Sequence, residues 1–530
     1  MKKIAGIPDT CFVFTIFFLF FLLNLTSNFS GPHDSMGYLN DLEKGRDLFP
    51  APHLLYHYIA FQLFHVLRSI FGHVPDYFLA EVVDAIWGCL GLTVVYRIFI
   101  HRMKMTRAEA FLGTCVVAFS FGMWFYCSNI EVYMPSVLFL LLGLFLCTKD
   151  QLNNRDVILI TIVHCLAVLF HQSNVLFTPI VIWKFWDSRK TIPFFASLVR
   201  YGLISIAVVG GVYFIFGWIV DGNNNPKDFM TWVRGYTTAS NYWFPFNLNT
   251  LLKAGIGFGH AFFGGHFVFR VKFLETFMNR LFFYHSLDDE AYLVRQLSHG
   301  VALLLLVLTV LVGLFMLVSL IRIIVHFRQL YATNRRVMVP LLLFLLIYSC
   351  FFFFWMPENL EFWIPQSVVF WIFVLGMTRQ LPPLPGTWKY YRIYGGLAAM
   401  IFIINYFGSI LWMKDINNDS VYVKIRKVKE VATAKDLIIL QDPWLLDDFL
   451  EHFTKSKISP VPVERKAVQA LDASVDSCLS AGGRIYLFTE GGSLMHSSKN
   501  LKYVDSLIIA KGGKVSDLKN ELTPVKVIAN

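Results

Sequence analysis

Charge is what this sequence lacks most. Of its 530 residues 15% are Asp, Glu, Lys or Arg, against 56% hydrophobic, a balance that excludes a water-soluble globular chain over the whole length. Paired cysteines are missing as well. The eight Cys (Cys11, Cys89, Cys115, Cys127, Cys147, Cys165, Cys350 and Cys478) are scattered, mostly inside apolar runs and without CxxC spacing. Neither a zinc site nor a disulfide framework is supported. No P-loop, no Gly-x-Gly-x-x-Gly and no internal repeat is found, which removes the usual phosphate-cradling motifs and repeat arrays. The net charge of +10 falls in short basic clusters between apolar runs. It reads as a topology signal and not as a nucleic-acid surface.

In place of charge there is phenylalanine, 53 residues of it, with Leu, Val and Ile in runs of about 20 residues, the length that crosses a bilayer core. These runs recur as far as Met413, and about eleven spans are expected. The first, Cys11–Phe29, follows Lys2 and Lys3 with no small-residue cleavage pattern, so it is expected to be a retained anchor. A polar and amphipathic stretch, Gly31–Asp76, comes next, within which His53–Ile70 reads as a surface helix or a further short span. The second span, Tyr77–Ile100, ends in Arg97, Arg102, Lys104 and Arg107, a basic cluster that the positive-inside rule assigns to the cytoplasm.

With that frame, Val157–Trp183 is read as two short spans meeting outside at His171. Ile192–Val220 exits to a long outer loop, Asp221–Gly300, rich in Trp, Tyr, Phe and Gly. The basic residues Arg322, His326, Arg328, Arg335 and Arg336 mark the next inner turn, and the Pro-rich 378–392 connector is also inside. From Lys414 the composition is that of a soluble domain. Asp436–Leu440 and Arg484–Phe488 read as short buried strands, and Ala467–Ser480 as a helix stopped by Gly482-Gly483. The expected organisation is therefore a polytopic α-helical membrane part, 1–413, and a small extracytoplasmic α/β domain, 414–530. That tail shows no catalytic set, because Asp442, Asp447 and Asp448 stand at an expected helix start, where acids favour the helix dipole. It is expected to position an acceptor or partner and to do no chemistry.

The unusual polar clusters fall on the outer side: Gly31-Pro32-His33-Asp34-Ser35, Pro52-His53-Leu54-Leu55-Tyr56-His57, Ser128-Asn129-Ile130-Glu131-Val132-Tyr133, His171, and Met356-Pro357-Glu358-Asn359-Leu360-Glu361-Phe362-Trp363. Acids at span ends cost energy without partners or water, so a hydrated pocket is expected there. An acid just after the first span, a His/Pro-Leu-Tyr segment behind it and a Trp-x(6)-Glu-Val-Tyr turn after the third resemble the GT-C superfamily of polyprenyl-linked glycosyltransferases. The branch resembled is that of the protein O-mannosyltransferases and their bacterial relatives. The first 180 or so residues carry the resemblance.

The resemblance implies an inverting transfer of a sugar from a polyprenyl-phosphate donor to a lipid, glycan or protein acceptor at the extracytoplasmic face, in a bacterial inner membrane. Asp34 matches the acid that acts as, or positions, the base; a carboxylate suits the removal of a proton from an attacking hydroxyl. The competing structural reading of Asp34 is a helix N-cap. Glu131 and Tyr133 match the Glu-x-Tyr pattern, with Tyr133 alternatively an interfacial belt residue. His53 and His57, four residues apart, suit a phosphate or a metal, or are simple interface histidines, and His171 has a similar alternative as a turn residue.

Positive charge for a departing phosphate is offered by Arg234, Lys272, Arg280 and Arg295, and the late turn with Glu358, Glu361 and Trp363 matches the family loosely. The Asp-x-Asp of the oligosaccharyltransferases is absent, so a divalent metal is possible but not supported. The alternatives to a sugar transferase of this kind are an O-antigen ligase or polymerase, and a transporter or lipid flippase.

Overall fold

The computed structural model describes residues 9–489 except 236–241, 283–286, 383–388 and 463–467, and beyond 489 only 504, 506, 510–511, 514–518, 522–523 and 525–529. Lys2, Lys3 and part of the Pro-rich connector thus lie outside the described residues. The chain forms two compact units, one of Met1–Leu25, Asp47–Phe267 and Ser298–Ile410, the other of Thr26–Arg46, Val268–Leu297 and Leu411–Asn530. The unit that holds the tail therefore also takes in the segment after the first apolar run and part of the long loop.

The first unit is helical, because lipid offers no partner to backbone N–H and C=O groups and a helix satisfies them internally. Among the described residues six helices are long and apolar enough to cross a bilayer: Asp76–His101, Phe194–Val220, His299–Val325, Phe327–Phe354, Leu360–Arg379 and Tyr390–Met413. A seventh is the pair Arg107–Phe119 and Phe121–Cys127, bent by 75°. The remaining apolar runs form the shorter helices Asp9–Leu22, Tyr133–Cys147, Asn154–Phe170 and Thr178–Asp187, so each run picked out by hydropathy contains a helix, although the first, expected over Cys11–Phe29, stops at Leu22. The stretch read as a surface helix or a short span is the helix Tyr56–Phe71.

Burial separates inner from outer helices. In the apolar window of Leu360–Arg379, 89% of the residues are buried against protein, and only 11% in that of Phe194–Val220. The second helix therefore gives its apolar surface to lipid. The bend in Arg107–Cys127 falls at Ser120, whose backbone is extended and whose hydroxyl donates to Val116 O at 3.0 Å while accepting from Trp371 Nε1 at 2.8 Å. Helices close up where side chains are small. A methyl group added to Gly88 would lie 2.0 Å from Cys127 Sγ. On the basic side, Thr106 and Asn153 begin their helices with reciprocal capping boxes to Glu109 and Asp156, and Arg335 pairs with Asp187 at 3.3 Å.

Among the described residues of the second unit, five strands form one sheet, β1 (Leu437–Leu440), β2 (Lys457–Pro460), β3 (Ile485–Phe488), β4 (Lys514–Leu518) and β5 (Val525–Ala529), in the order β2-β1-β3-β5-β4. β1, β2 and β3 are parallel, and β4 and β5 close one side antiparallel. β1 and β3, wholly buried at the centre, are the two strands that read as continuous apolar runs. The helices Leu446–Phe453 and Val468–Ser480 make the crossovers that parallel strands require.

The helix Ser420–Val431 joins the segments of this unit. Its N-cap Asp419, fully buried, accepts from Val421 N and Tyr422 N with one oxygen, at 2.9 and 3.1 Å. With the other it accepts from Phe29 N and Ser30 N, at 2.8 and 2.9 Å. Next to it Ser420 Oγ donates to Asp289, and Lys424 lies 3.6 Å from the same carboxylate. Replacing Asp419 by Ala removes the carboxylate that accepts from four buried N–H groups, a loss on the order of 3 kcal/mol. Trypsin is expected to cut at Lys44 and Arg46 at temperatures where the wild type resists, with Asp419→Asn, which keeps one acceptor oxygen, in between. Equal protection of the Ala variant would refute this role.

Candidate functional site

Four of the expected site residues come together in the first unit. His53 closes the short turn Ala51–His53, which is fixed by Tyr213 Oη on Ala51 O at 2.7 Å and by Leu55 N on Leu169 O at 3.1 Å. His171 follows the helix Asn154–Phe170 in extended conformation, with Ser173 N donating to its Nδ1 at 3.2 Å. The proton of the neutral ring is therefore on Nε2. Its ring centroid is 4.7 Å from that of His53 and 5.3 Å from that of Tyr133. Nδ1 of His53 and Nε2 of His171 are buried and have no hydrogen-bond partner among the described residues. Beside them Tyr133, Ser136, His171, Asn174, Tyr348 and Glu361 line a cavity of about 10 Å³, the size of one water.

Behind the cavity runs a directed chain of hydrogen bonds. Asn174 Nδ2 donates to Ser136 Oγ at 2.7 Å and to Ala167 O at 2.8 Å, and Tyr348 Oη donates to Asn174 Oδ1 at 3.4 Å. His164 Nε2 donates to Asn174 O at 2.9 Å, so its Nδ1 accepts from Tyr201 Oη at 2.8 Å, which in turn accepts from Thr178 Oγ1 at 3.2 Å. This chain passes through buried interior and fixes the tip that carries His171.

The other expected residues of the unit have separate surroundings. His57 turns to its own loop, with Nδ1 2.8 Å from Asp47 O, so the pairing that the structure makes is His53 with His171. Glu131 is buried; its N–H donates to Asp84 Oδ2 at 2.9 Å and its carboxylate accepts from Val132 N at 3.1 Å. Tyr56 Oη donates to the same Asp84 oxygen at 2.8 Å. Glu358 is paired with Lys253 at 2.9 Å, and Glu361 accepts from Asn359 Nδ2 at 2.9 Å. Arg234 is exposed at the end of Pro226–Arg234, where the neighbouring Val233 O accepts from Gln172 Nε2 at 2.8 Å. The sequence reading missed Asp84 and Glu81, both fully buried in Asp76–His101. The signal was there, since two acids inside an apolar run are a functional mark in a membrane segment.

Asp34 belongs to the second unit. It stands at the N-cap of Ser35–Lys44 but makes no side-chain cap bond; Tyr38 Oη donates to its Oδ2 at 3.3 Å. Its carboxyl reaches solvent, while burial of its surroundings raises its pKa against the opposing effects of His33 and Tyr38. His33 has φ +73°, which residues other than Gly rarely adopt, and its ring lies 6.0 Å from that of Trp444. Arg295 of the same unit is held locally, stacked on Tyr292 at 3.6 Å with Nη1 donating to Tyr292 O at 2.9 Å. Lys272 and Arg280 are exposed. A cleft of about 500 Å³ lies between Lys44, Asp447, Glu451, Thr454, Lys455 and Ser456. Among the described residues no three His, Cys, Asp or Glu side chains come together as metal ligands.

No family model and no curated protein matches the sequence. Among solved structures, ArnT from Cupriavidus metallidurans bound to undecaprenyl phosphate is similar along almost the full length, over 98% of this chain and 97% of that one, with a TM-score of 0.55 and 9% identity. The chain has a GT-C fold. The apo state of the same ArnT matches over 98% of this chain and 97% of that one, with a TM-score of 0.48 and 10% identity. The Archaeoglobus fulgidus oligosaccharyltransferase in complex with Zn and sulfate matches over 90% of this chain and 68% of that one, with a TM-score of 0.45 and 12% identity.

Asn174→Ala removes the common partner of Ser136 and Tyr348 and is expected to lower stability by about 1–3 kcal/mol, the cost of orphaned buried groups. Thermal unfolding of the purified protein measures this. An unchanged transition would show that the chain of bonds does not hold the tip.

Proposed function

We propose that this protein is an inverting glycosyltransferase that takes a sugar from a polyprenyl-phosphate carrier and passes it to a hydroxyl of a lipid, glycan or protein on the extracytoplasmic face. The observation that carries this reading is Asp34. In a chain of GT-C fold, the acid that follows the first apolar helix neither caps its own helix nor loses access to solvent. In the proposed reaction the acceptor oxygen forms a bond to the anomeric carbon as the bond from that carbon to the phosphate oxygen breaks. The electron pair goes to the phosphate and the acceptor proton goes to Asp34.

His53, Tyr133, His171 and Glu361 are the proposed holding groups of the first unit, supported by the unpartnered Nδ1 of His53 and Nε2 of His171. Glu131 and His57 support the loops around them, and Glu358 acts through Lys253. Arg234, exposed at the end of its helix, and Arg295, stacked on Tyr292, are the proposed groups for the donor phosphate.

Asp34→Asn is expected to leave expression and folding unchanged and to lower transfer at least about a hundredfold, with polyprenyl-phosphate sugars as donors and mass spectrometry of the products. Full turnover at equal protein would sink the assignment. Glu81 and Asp84, buried inside a span, are the one feature that favours a transporter. Ion-coupled uptake in proteoliposomes without donor-dependent transfer would make that the better reading.

Among the described residues, the six long helices, the bent pair Arg107–Phe119 and Phe121–Cys127, and the four shorter helices Asp9–Leu22, Tyr133–Cys147, Asn154–Phe170 and Thr178–Asp187 are proposed as eleven spans, with the N-terminus inside. A reporter after Arg102 or Arg336 should then read cytoplasmic and one after Lys414 extracytoplasmic. The opposite result for the tail would place the span count wrong by one.

A further inference from the structure

The helix Ser35–Lys44 begins at Asp34, and Asp34, Gly37 and Asp41 lie three and four residues apart, along one face. Gly37 leaves a gap on that face. A methyl group there would stand 3.3 Å from Asp448 Oδ2 and 3.6 Å from its carboxyl carbon, so the carboxyl of Asp448 rests on the bare backbone between two further acids. The approach is fixed, since Asn40 Nδ2 donates to Asp448 O at 3.0 Å. The helix Leu446–Phe453 that carries Asp448 is the first crossover of the tail domain. It is held to the helix of Asp34 at its far end by Glu451, which accepts from Lys44 and, at 2.9 Å, from Arg46, and by His452 near Glu43 at 3.1 Å.

Acids outnumber cations around Asp448, and Arg46 is the cation whose charge reaches it. Asp34 and Asp41 face it from one helix, and Asp447 and Glu451 lie on its own. The direct partners of the nearby cations are other groups: Lys44 and Arg46 pair with Glu451, and Lys429 of Ser420–Val431 lies over the rings of Tyr422 and Phe453. His33 acts on Asp34, and among the described residues no salt bridge reaches Asp448. We propose that Asp448 is a positioning residue for Asp34: lodged against Gly37, it sets by its own charge how strongly Asp34 binds the proton it receives.

The proposal rests on Asp34 being the base. Burial, followed by Asp447, Glu451, Asp41 and Asp34, pushes the Asp448 pKa up to about 7, so its charge appears in the neutral range. Coupling between two sites is mutual. If the charge of Asp34 holds a proton on Asp448, the charge of Asp448 raises the proton affinity of Asp34 in the same measure. The sign follows directly. As pH rises through about 7, Asp448 ionises, Asp34 becomes the stronger base, and transfer rises.

The test is the pH profile of kcat and KM for the full-length protein in lipid nanodiscs with a polyprenyl-phosphate sugar. In Asp448→Asn the rise through neutral pH is expected to vanish, with kcat above it lower than in the wild type and KM for the donor unchanged. Identical profiles for Asp448→Asn and wild type overturn the proposal. A second measurement does not depend on that variant folding: carbodiimide labelling of Asp448 against pH in Asp34→Asn. The midpoint is expected to move down when the neighbouring charge is removed, and an unmoved midpoint overturns the coupling. Full activity of Asp34→Asn would instead fail the base reading itself, so the two failures are distinct.

Discussion

The second unit depends on one buried carboxylate. Asp419 lies where the tail begins, and its two oxygens divide the work, one closing the first turn of its own helix and the other taking the N–H groups of Phe29 and Ser30. A carboxylate has no donors to satisfy and room for several N–H groups, so it can be the common acceptor of two chain segments nearly 400 residues apart. Because Phe29 and Ser30 are fixed there, the turn through His33 and the helix that Asp34 begins are built onto the tail domain. The left-handed backbone of His33 is tolerated because the residues on either side of it are anchored, the usual condition for strain to persist.

The first unit obeys a different constraint. Polar groups within an apolar helix bundle must find partners inside it, and they do so in directed chains. Thr178, Tyr201, His164 and Asn174 pass each hydrogen bond on to the next, and Asp84 collects the hydroxyl of Tyr56 and the amide of Glu131. Such networks are costly when incomplete. Against that background the unpartnered nitrogens of His53 and His171 stand out, since they sit beside a cavity and next to each other. The interior spends its hydrogen bonds on holding the tip of the two short helices, and leaves donor capacity at the tip itself.

Much of the fold was legible because it depends on solvent. Apolar runs become helices in lipid whatever their neighbours, and every run up to Met413 holds one, the first ending at Leu22 and not at Phe29; β1 and β3 were legible for the same reason, as runs with no exposed face. The edge strand β2, Lys-Ile-Ser-Pro, carries no such pattern. Tyr133, His171, His53 and Glu361 could be picked out as polar residues at the turns between apolar runs, but not as a group, since that takes four chain segments to meet.

The sequence by itself determined a membrane protein with an acid after its first apolar run and a change of composition from Lys414 onward, because hydropathy and composition are local properties. Only tertiary structure decided that His171 pairs with His53 and not His57 with His53, since ring contacts depend on how a turn and a helix end pack. It also decided that Asp34 shares a unit with the tail and that Asp448, which reads as a dipole residue of its own helix, rests on Gly37. These are contacts between residues hundreds of positions apart, which no window along the chain contains.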